Sequence, residues 1–169
     1  KGKKIWEHII GQNNSLLTTN MSIDSEDRLF VGINNSIISL DSGNGNKLWE
    51  KHFDKPAINT LIIGGEGLIY SSHENGDVYS LHSEDGTLRW KINIESIKLN
   101  AIFNDTLIGH SIWNNKLYSI NLRDGSIKWE VNSRTDYCIA GSNSLLLACS
   151  SSNIKYINKN GKVVGDLRL

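Results

Sequence analysis

The side chains able to move a proton, hold a metal or attack a carbonyl are scattered along this chain. Its histidines are His8, His52, His73, His82 and His110. No pair shows the His-x-x-x-His spacing that places two imidazoles on one helical face around a metal. Solvated or strand-edge positions are expected for them. Serine is abundant, yet no Gly-x-Ser-x-Gly elbow presents one as a nucleophile. Asp41-Ser42-Gly43-Asn44-Gly45-Asn46 faintly suggests a calcium loop, but it lacks the downstream Glu and the correct Gly position. Cys138 and Cys149 flank Gly141-Ser142-Asn143-Ser144, a hairpin-turn sequence, so they could face each other across two strands. Two small buried thiols are expected there, because a metal would need further ligands nearby. No catalytic, metal or cofactor-binding set emerges from these residues.

The organised signal is a repeat. Gly2-Lys3-Lys4-Ile5-Trp6, Gly45-Asn46-Lys47-Leu48-Trp49, Gly86-Thr87-Leu88-Arg89-Trp90 and Gly125-Ser126-Ile127-Lys128-Trp129 each place Trp four residues after Gly. Successive Trp residues are 43, 41 and 39 positions apart. A unit of about forty residues matches a four-stranded propeller blade. Asn75-Gly76 is a two-residue hairpin signal, followed by a strand from Asp77 to His82. A second turn at Ser83 to Gly86 leads into Thr87 to Ile94, where Leu88, Trp90, Ile92 and Ile94 alternate with polar residues as in a half-buried strand. The layout returns at Asn114 to Val131, with Ile127, Trp129 and Val131 as the inward set, and at Asn34 to Trp49. Leu40, Leu81 and Ile120 each stand five positions before the turn Gly, which supplies a positive φ.

Two further strands precede each of these pairs, as in Leu61-Ile62-Ile63, Gly64 to Gly67 and Leu68-Ile69-Tyr70. Short strands, one Pro and no helical periodicity predict an all-β propeller of about four four-stranded blades. The predicted blades span 16–53, 57–94, 97–133 and 136–169, with residues 1–10 as the outer strand of a preceding or closing blade. Gly165 stands where the last unit should carry Trp. Three closures fit: a four-bladed ring completed by the first strand, an eight-bladed ring of two chains, or a segment of a longer six- to eight-bladed parent chain. The start at Lys1 and the orphan first strand favour the third.

Charge narrows the partners. Eighteen Lys and Arg balance eighteen Asp and Glu, so the basic stripe of a nucleic-acid binder is not expected. No run of eighteen apolar residues exists to span a membrane as a helix.

The segments Leu40 to Trp49, Leu81 to Trp90 and Ile120 to Trp129 resemble the repeat of pyrroloquinoline-quinone (PQQ)-type, or quinoprotein-like, β-propellers. That resemblance implies that Trp6, Trp49, Trp90 and Trp129 dock onto neighbouring blades, with Gly45, Gly86 and Gly125 in the matching turns. The usual Asp after the first aliphatic is kept at Asp41, but His82 and Asn121 depart from it. The family includes quinoprotein dehydrogenases and also cofactor-free propellers, such as BamB-like scaffold lipoproteins and luminal stress sensors. It implies a non-enzymatic module that binds a protein partner in an extracytoplasmic compartment. A dehydrogenase holding PQQ with calcium is the alternative, weakened by the lack of adjacent cysteines. Trp113, out of phase with the repeat beside Asn114-Asn115, is the candidate ligand contact for a sensing or carbohydrate-binding ectodomain.

Overall fold

The computed structural model describes residues 2–9, 18–111, 113–140 and 145–169, with 58–60 and 137–140 described by their main chain. The strands run β1 (Thr19–Asn20), β2 (Ser22–Ile23), β3 (Arg28–Ile33), β4 (Ser36–Asp41), β5 (Lys47–His52), β6 (Ala57–Ile63), β7 (Leu68–His73), β8 (Asp77–His82) and β9 (Leu88–Asn93). They continue with β10 (Ile97–Phe103), β11 (Thr106–Ser111), β12 (Lys116–Asn121), β13 (Ile127–Asn132), β14 (Tyr137–Ala140), β15 (Leu145–Cys149), β16 (Asn153–Asn158) and β17 (Val163–Arg168). No helix occurs among the described residues.

Four antiparallel meanders result: β2 to β5, β6 to β9, β10 to β13 and β14 to β17. We number them blades 1 to 4. Local sequence explains each reversal. Gly45, Gly86, Gly125 and Gly161 take φ of +75°, +71°, +77° and +78° between the third and fourth strands, a region that costs little only for glycine. At the other end of the blades, Asn34 and Asn115 adopt φ of 49° and 54°; asparagine tolerates this because its side chain bonds locally to the main chain.

Both faces of the middle strands are buried, unlike the one-sided burial of an open sheet. Phe30 and Ile37 leave blade 1 to meet Ala57, Leu61, Ile69 and Leu81 of blade 2. Tyr70, Val78 and Trp90 of blade 2 meet Leu99, Leu107 and Ile120 of blade 3. Phe103, Ile108 and Leu117 of blade 3 meet Leu146, Ala148 and Ile157 of blade 4. The core is therefore a row of interfaces, each shared between neighbours.

Three expectations need adjustment. Leu88 and Ile127 are 50% and 48% exposed rather than inward. A register shift leaves Arg89 and Lys128 as extra residues, so Trp90 pairs with Ser80 and Trp129 with Ser119 while Leu88 and Ile127 pair one step out of alternation. Cys138 pairs with Ala148 and Cys149 with Tyr137, so the cysteines are one register step apart rather than opposite; their intervening turn lies outside the described residues. Residues 2–9 belong to no strand. Outer strands elsewhere pair with the third strand of their own blade.

Candidate functional site

The repeated residues converge at the joints between blades. Trp49 donates its Nε1–H to the Ser83 carbonyl at 2.9 Å, Trp90 to Leu122 at 2.9 Å and Trp129 to Lys159 at 3.0 Å. Trp6 does the same with Ser42 at 2.7 Å. Each acceptor lies in the turn of the following blade, and each Trp ring rests on the glycine of that turn. A Cβ on Gly45 would sit 2.5 Å from the Trp6 ring, on Gly86 2.9 Å from Trp49, and on Gly125 2.9 Å from Trp90. Gly161 bears the same relation to Trp129 at 2.7 Å. Glycine is thus required twice over, for its φ and for the ring it admits. The positive φ was readable in the sequence; the ring contact was not.

Behind each ring, the residue opposite Trp is serine: Ser39, Ser80 and Ser119. All three are fully buried, and the hydroxyls of Ser39 and Ser119 meet no hydrogen-bond partner among the described residues. Size explains their presence, since a small side chain leaves room for the indole. Blade 4 reverses the arrangement: Tyr156 pairs with Gly165 and packs over it.

Titratable groups are built into the frame. Asp77 is 4% exposed, and burial works against its charge. Lys91, Asn93, Asn75 and Tyr79 outweigh that cost and hold its pKa down to about 2. The Lys91 ammonium lies 2.8 Å from its Oδ2, and the Tyr79 hydroxyl donates to the same oxygen at 3.1 Å. Beside this cluster, His73 packs between Phe53 and Tyr79, with ring centroids 4.4 and 4.8 Å away. Its Nδ1–H donates to the Lys55 carbonyl at 2.8 Å, which leaves Nε2 to accept from the Ser71 hydroxyl at 3.0 Å. Burial lowers the His73 pKa, against the Lys55 carbonyl, which favours the proton. His110 is also lowered by burial and bonds to Asn100 Oδ1 at 2.7 Å.

His73 and His110 are buried, at 1% and 5% exposed, rather than solvated or at a strand edge as expected. Among the described residues, no group of three His, Cys, Asp or Glu side chains could hold a metal ion. In the segment with calcium-loop composition, Asp41 Oδ1 accepts from the amides of Gly43 and Asn44 at 2.8 and 3.1 Å. That carboxylate shapes a turn. Trp113 behaves unlike the other tryptophans: it is 73% exposed at the β11–β12 turn. No helix among the described residues is long and apolar enough to cross a membrane.

Clefts open between blades on the side of the Gly turns. The cleft between blades 2 and 3, about 550 Å³, is lined by Leu68, Tyr70, Ile102 and Leu122, with Arg89 and Arg123 at its mouth. None of these stood out in the sequence except as strand or turn positions. The signal available was their departure from the repeat: tyrosine at 70 where the equivalent positions hold Phe30 and Ile108, and arginine at 89 where they hold Leu48 and Lys128.

Comparison with known proteins fits this geometry. The family model described as "Outer membrane protein assembly factor BamB" matches residues 1–137 and again 34–167. The outer membrane protein assembly factor BamB of Yersinia pestis is 22% identical over 107 residues, covering 59% of this chain and 27% of that protein. The crystal structure of BamB from Moraxella catarrhalis superposes with a TM-score of 0.75 at 15% identity, over 91% of this chain and 54% of the other. The computationally designed Ika4 protein superposes at 0.69 with 13% identity, over 100% of this chain and 99% of its own. The chain therefore spans about half or less of the BamB proteins it matches. On the matched repeats and the all-β blades together, this chain belongs to the BamB family of β-propellers with PQQ-like repeats.

Proposed function

We propose that this chain is a non-enzymatic propeller module that binds a protein partner and holds it for assembly, in an extracytoplasmic compartment. The family match supports the reading, since the relatives are outer membrane protein assembly factors. The observation that carries it on this chain is Trp113. Three tryptophans donate to a carbonyl across a blade joint and Trp6 donates to one in blade 1, whereas Trp113 stands 73% exposed on a turn between buried strands. A large, rigid, amphipathic ring on a fixed support is the residue type that anchors protein interfaces. The Trp–Gly joints, in this reading, serve as the structural docking that keeps the support rigid.

Photo-crosslinking in the source cells tests this. A benzophenone amino acid at position 113 should capture a discrete protein that the same probe at Leu48, on an outer strand, does not. No product, or the same product from both positions, would defeat the reading.

The exposed Trp113 also favours a second reading, a sugar-sensing surface, because flat aromatic rings stack on sugar faces. Binding of an oligosaccharide panel that disappears in Trp113→Ala with no change in melting would favour it over the protein-binding reading.

A further inference from the structure

We propose that the cleft between blades 2 and 3 binds a carboxylate carrying a short aliphatic tail. The site stands independently of the scaffold reading above, which rests on Trp113 at the opposite end of the blades.

The repeat is broken here by Tyr70 and Arg89. At every joint a Trp donates to the carbonyl of the next turn; at this joint Tyr70 and Arg89 reach the same turn, where Lys51 and Arg28 do so at the joint before. The Leu122 carbonyl accepts from Trp90 at 2.9 Å and lies 3.4 Å from the Tyr70 hydroxyl, and Arg89 Nε donates to the Arg123 carbonyl at 3.2 Å. Tyr70 adds a hydroxyl where the equivalent positions carry Phe30 and Ile108. Packing needs no hydroxyl there. Burial raises the Tyr70 pKa, so the phenol stays protonated; its one proton goes to the Leu122 carbonyl over a long 3.4 Å bond, which a bound carboxylate would take over.

The charges are favourable at the mouth. Tethering through Nε fixes the Arg89 guanidinium while leaving its terminal nitrogens with no ion pair among the described residues; Arg123 likewise forms none. Two acids share the rim. Asp105 is already engaged by Lys128 at 2.6 Å, which lowers its pKa, and Glu66 stands on the other side. Arg89 and Arg123 match Asp105 and Glu66 in number among the lining residues, but Lys128 from outside the cleft already pairs with Asp105, so the two guanidiniums share the rim with one carboxylate, Glu66. A guanidinium with two free N–H groups matches a carboxylate bidentately.

The floor sets the rest of the ligand. Leu68 and Tyr70 are almost fully buried, and Ile102 and Leu122 complete an apolar wall. At about 550 Å³ the cleft falls within the usual range for small-ligand sites, roughly 300–1,000 Å³. The apolar wall and two arginines without ion pairs, with a phenol beside them, together select an aliphatic acid over a simple anion. The neighbouring cleft between blades 3 and 4 has lysines and Trp129 in the corresponding places and no phenol.

The test is an amide chemical-shift titration of the chain with N-acetyl-leucine, using N-acetyl-leucinamide as the uncharged control. The acid should produce saturable shifts confined to residues around 66–70, 89 and 121–123, and the control should bind about tenfold more weakly. Arg89→Gln should weaken the acid by about tenfold. Tyr70→Phe, the residue type blade 1 uses at this position, should weaken it about threefold with an otherwise unchanged spectrum. Dispersed spectra of both variants establish that they fold. Absence of saturable shifts with the acid, equal binding of acid and amide, or undiminished binding to Arg89→Gln would each overturn the proposal.

Discussion

Trp90 and Gly125 sit in adjoining blades, and a methyl group on Gly125 would lie 2.9 Å from the Trp90 ring. Two separate costs follow for Gly125→Ala: a left-handed backbone at φ +77° and a displaced indole. Together they should destabilise the protein by about 2–4 kcal/mol in urea unfolding. Trp90→Ala should cost about 3–5 kcal/mol. In the double variant the clash with the ring disappears while that with Ile92 Cγ2, also at 2.9 Å, remains, so the Gly125→Ala cost should shrink by about 1 kcal/mol. Strict additivity would mean that the ring and the glycine are not coupled.

Ser39 and Ser119 make the opposite kind of prediction. Their hydroxyls are buried without partners among the described residues, while their small size makes room for Trp49 and Trp129. Ser119→Ala should therefore be neutral or stabilise by up to about 1 kcal/mol. A loss above that amount, measured by urea midpoint, would reveal a hydrogen bond at this hydroxyl.

Blade 4 offers a size-exchange test. Tyr156 packs over Gly165, 3.1 Å from where its Cβ would be. Gly165→Trp alone should destabilise by about 1–3 kcal/mol, because two large side chains then compete for one space. Adding Tyr156→Ser recreates the Ser–Trp pair of the other blades and should recover most of the loss. A double variant no better than the single would show that the pairing is not set by size.

Stability should fall as the solution is acidified, in two windows. His73 is held neutral by burial, with a folded pKa below its ordinary 6.5. As pH drops below about 6.5 the unfolded chain takes up a proton that the native state refuses, so stability is lost. His73→Gln should flatten the slope of urea midpoint against pH between 7.5 and 5. Asp77 acts lower down: its folded pKa of about 2 lies below the ordinary 3.8, so its contribution is complete above 3.8 and vanishes as pH falls towards 2. Asp77→Asn should cost about 1–2 kcal/mol at pH 7, and the two proteins should converge near pH 2. Parallel curves throughout would assign the acid loss elsewhere.

The blade repeat was legible because glycine φ and strand alternation are local properties. Gly45, Gly86 and Gly125 with Trp49, Trp90 and Trp129 announce themselves at fixed spacing. The exposure of Leu88 and Ile127 was not legible, since a register shift is decided by pairing with Leu81 and Ile120 some seven residues away. The Arg89–Tyr70 cleft was hidden for a related reason: its parts come from β7, β9 and the turn after β12, which meet only when blades stack. Asp77 read as one face of a strand, and its ion pair with Lys91 depends on which residue lies opposite.

The short strand β1 pairs in parallel with β6 through Thr19–Asn59 and Asn20–Thr60, while the adjoining Thr18 amide donates to the Gly32 carbonyl of blade 1 at 2.9 Å. One segment thus stitches two blades together by main-chain bonds. Among the described residues the later joints have no such ladder. The joint between blades 1 and 2 is accordingly reinforced relative to the other two. Pulled from its two ends, the array should yield at a later joint before this one, so that the leading pair behaves as a clamp and the trailing blades as links that open under load.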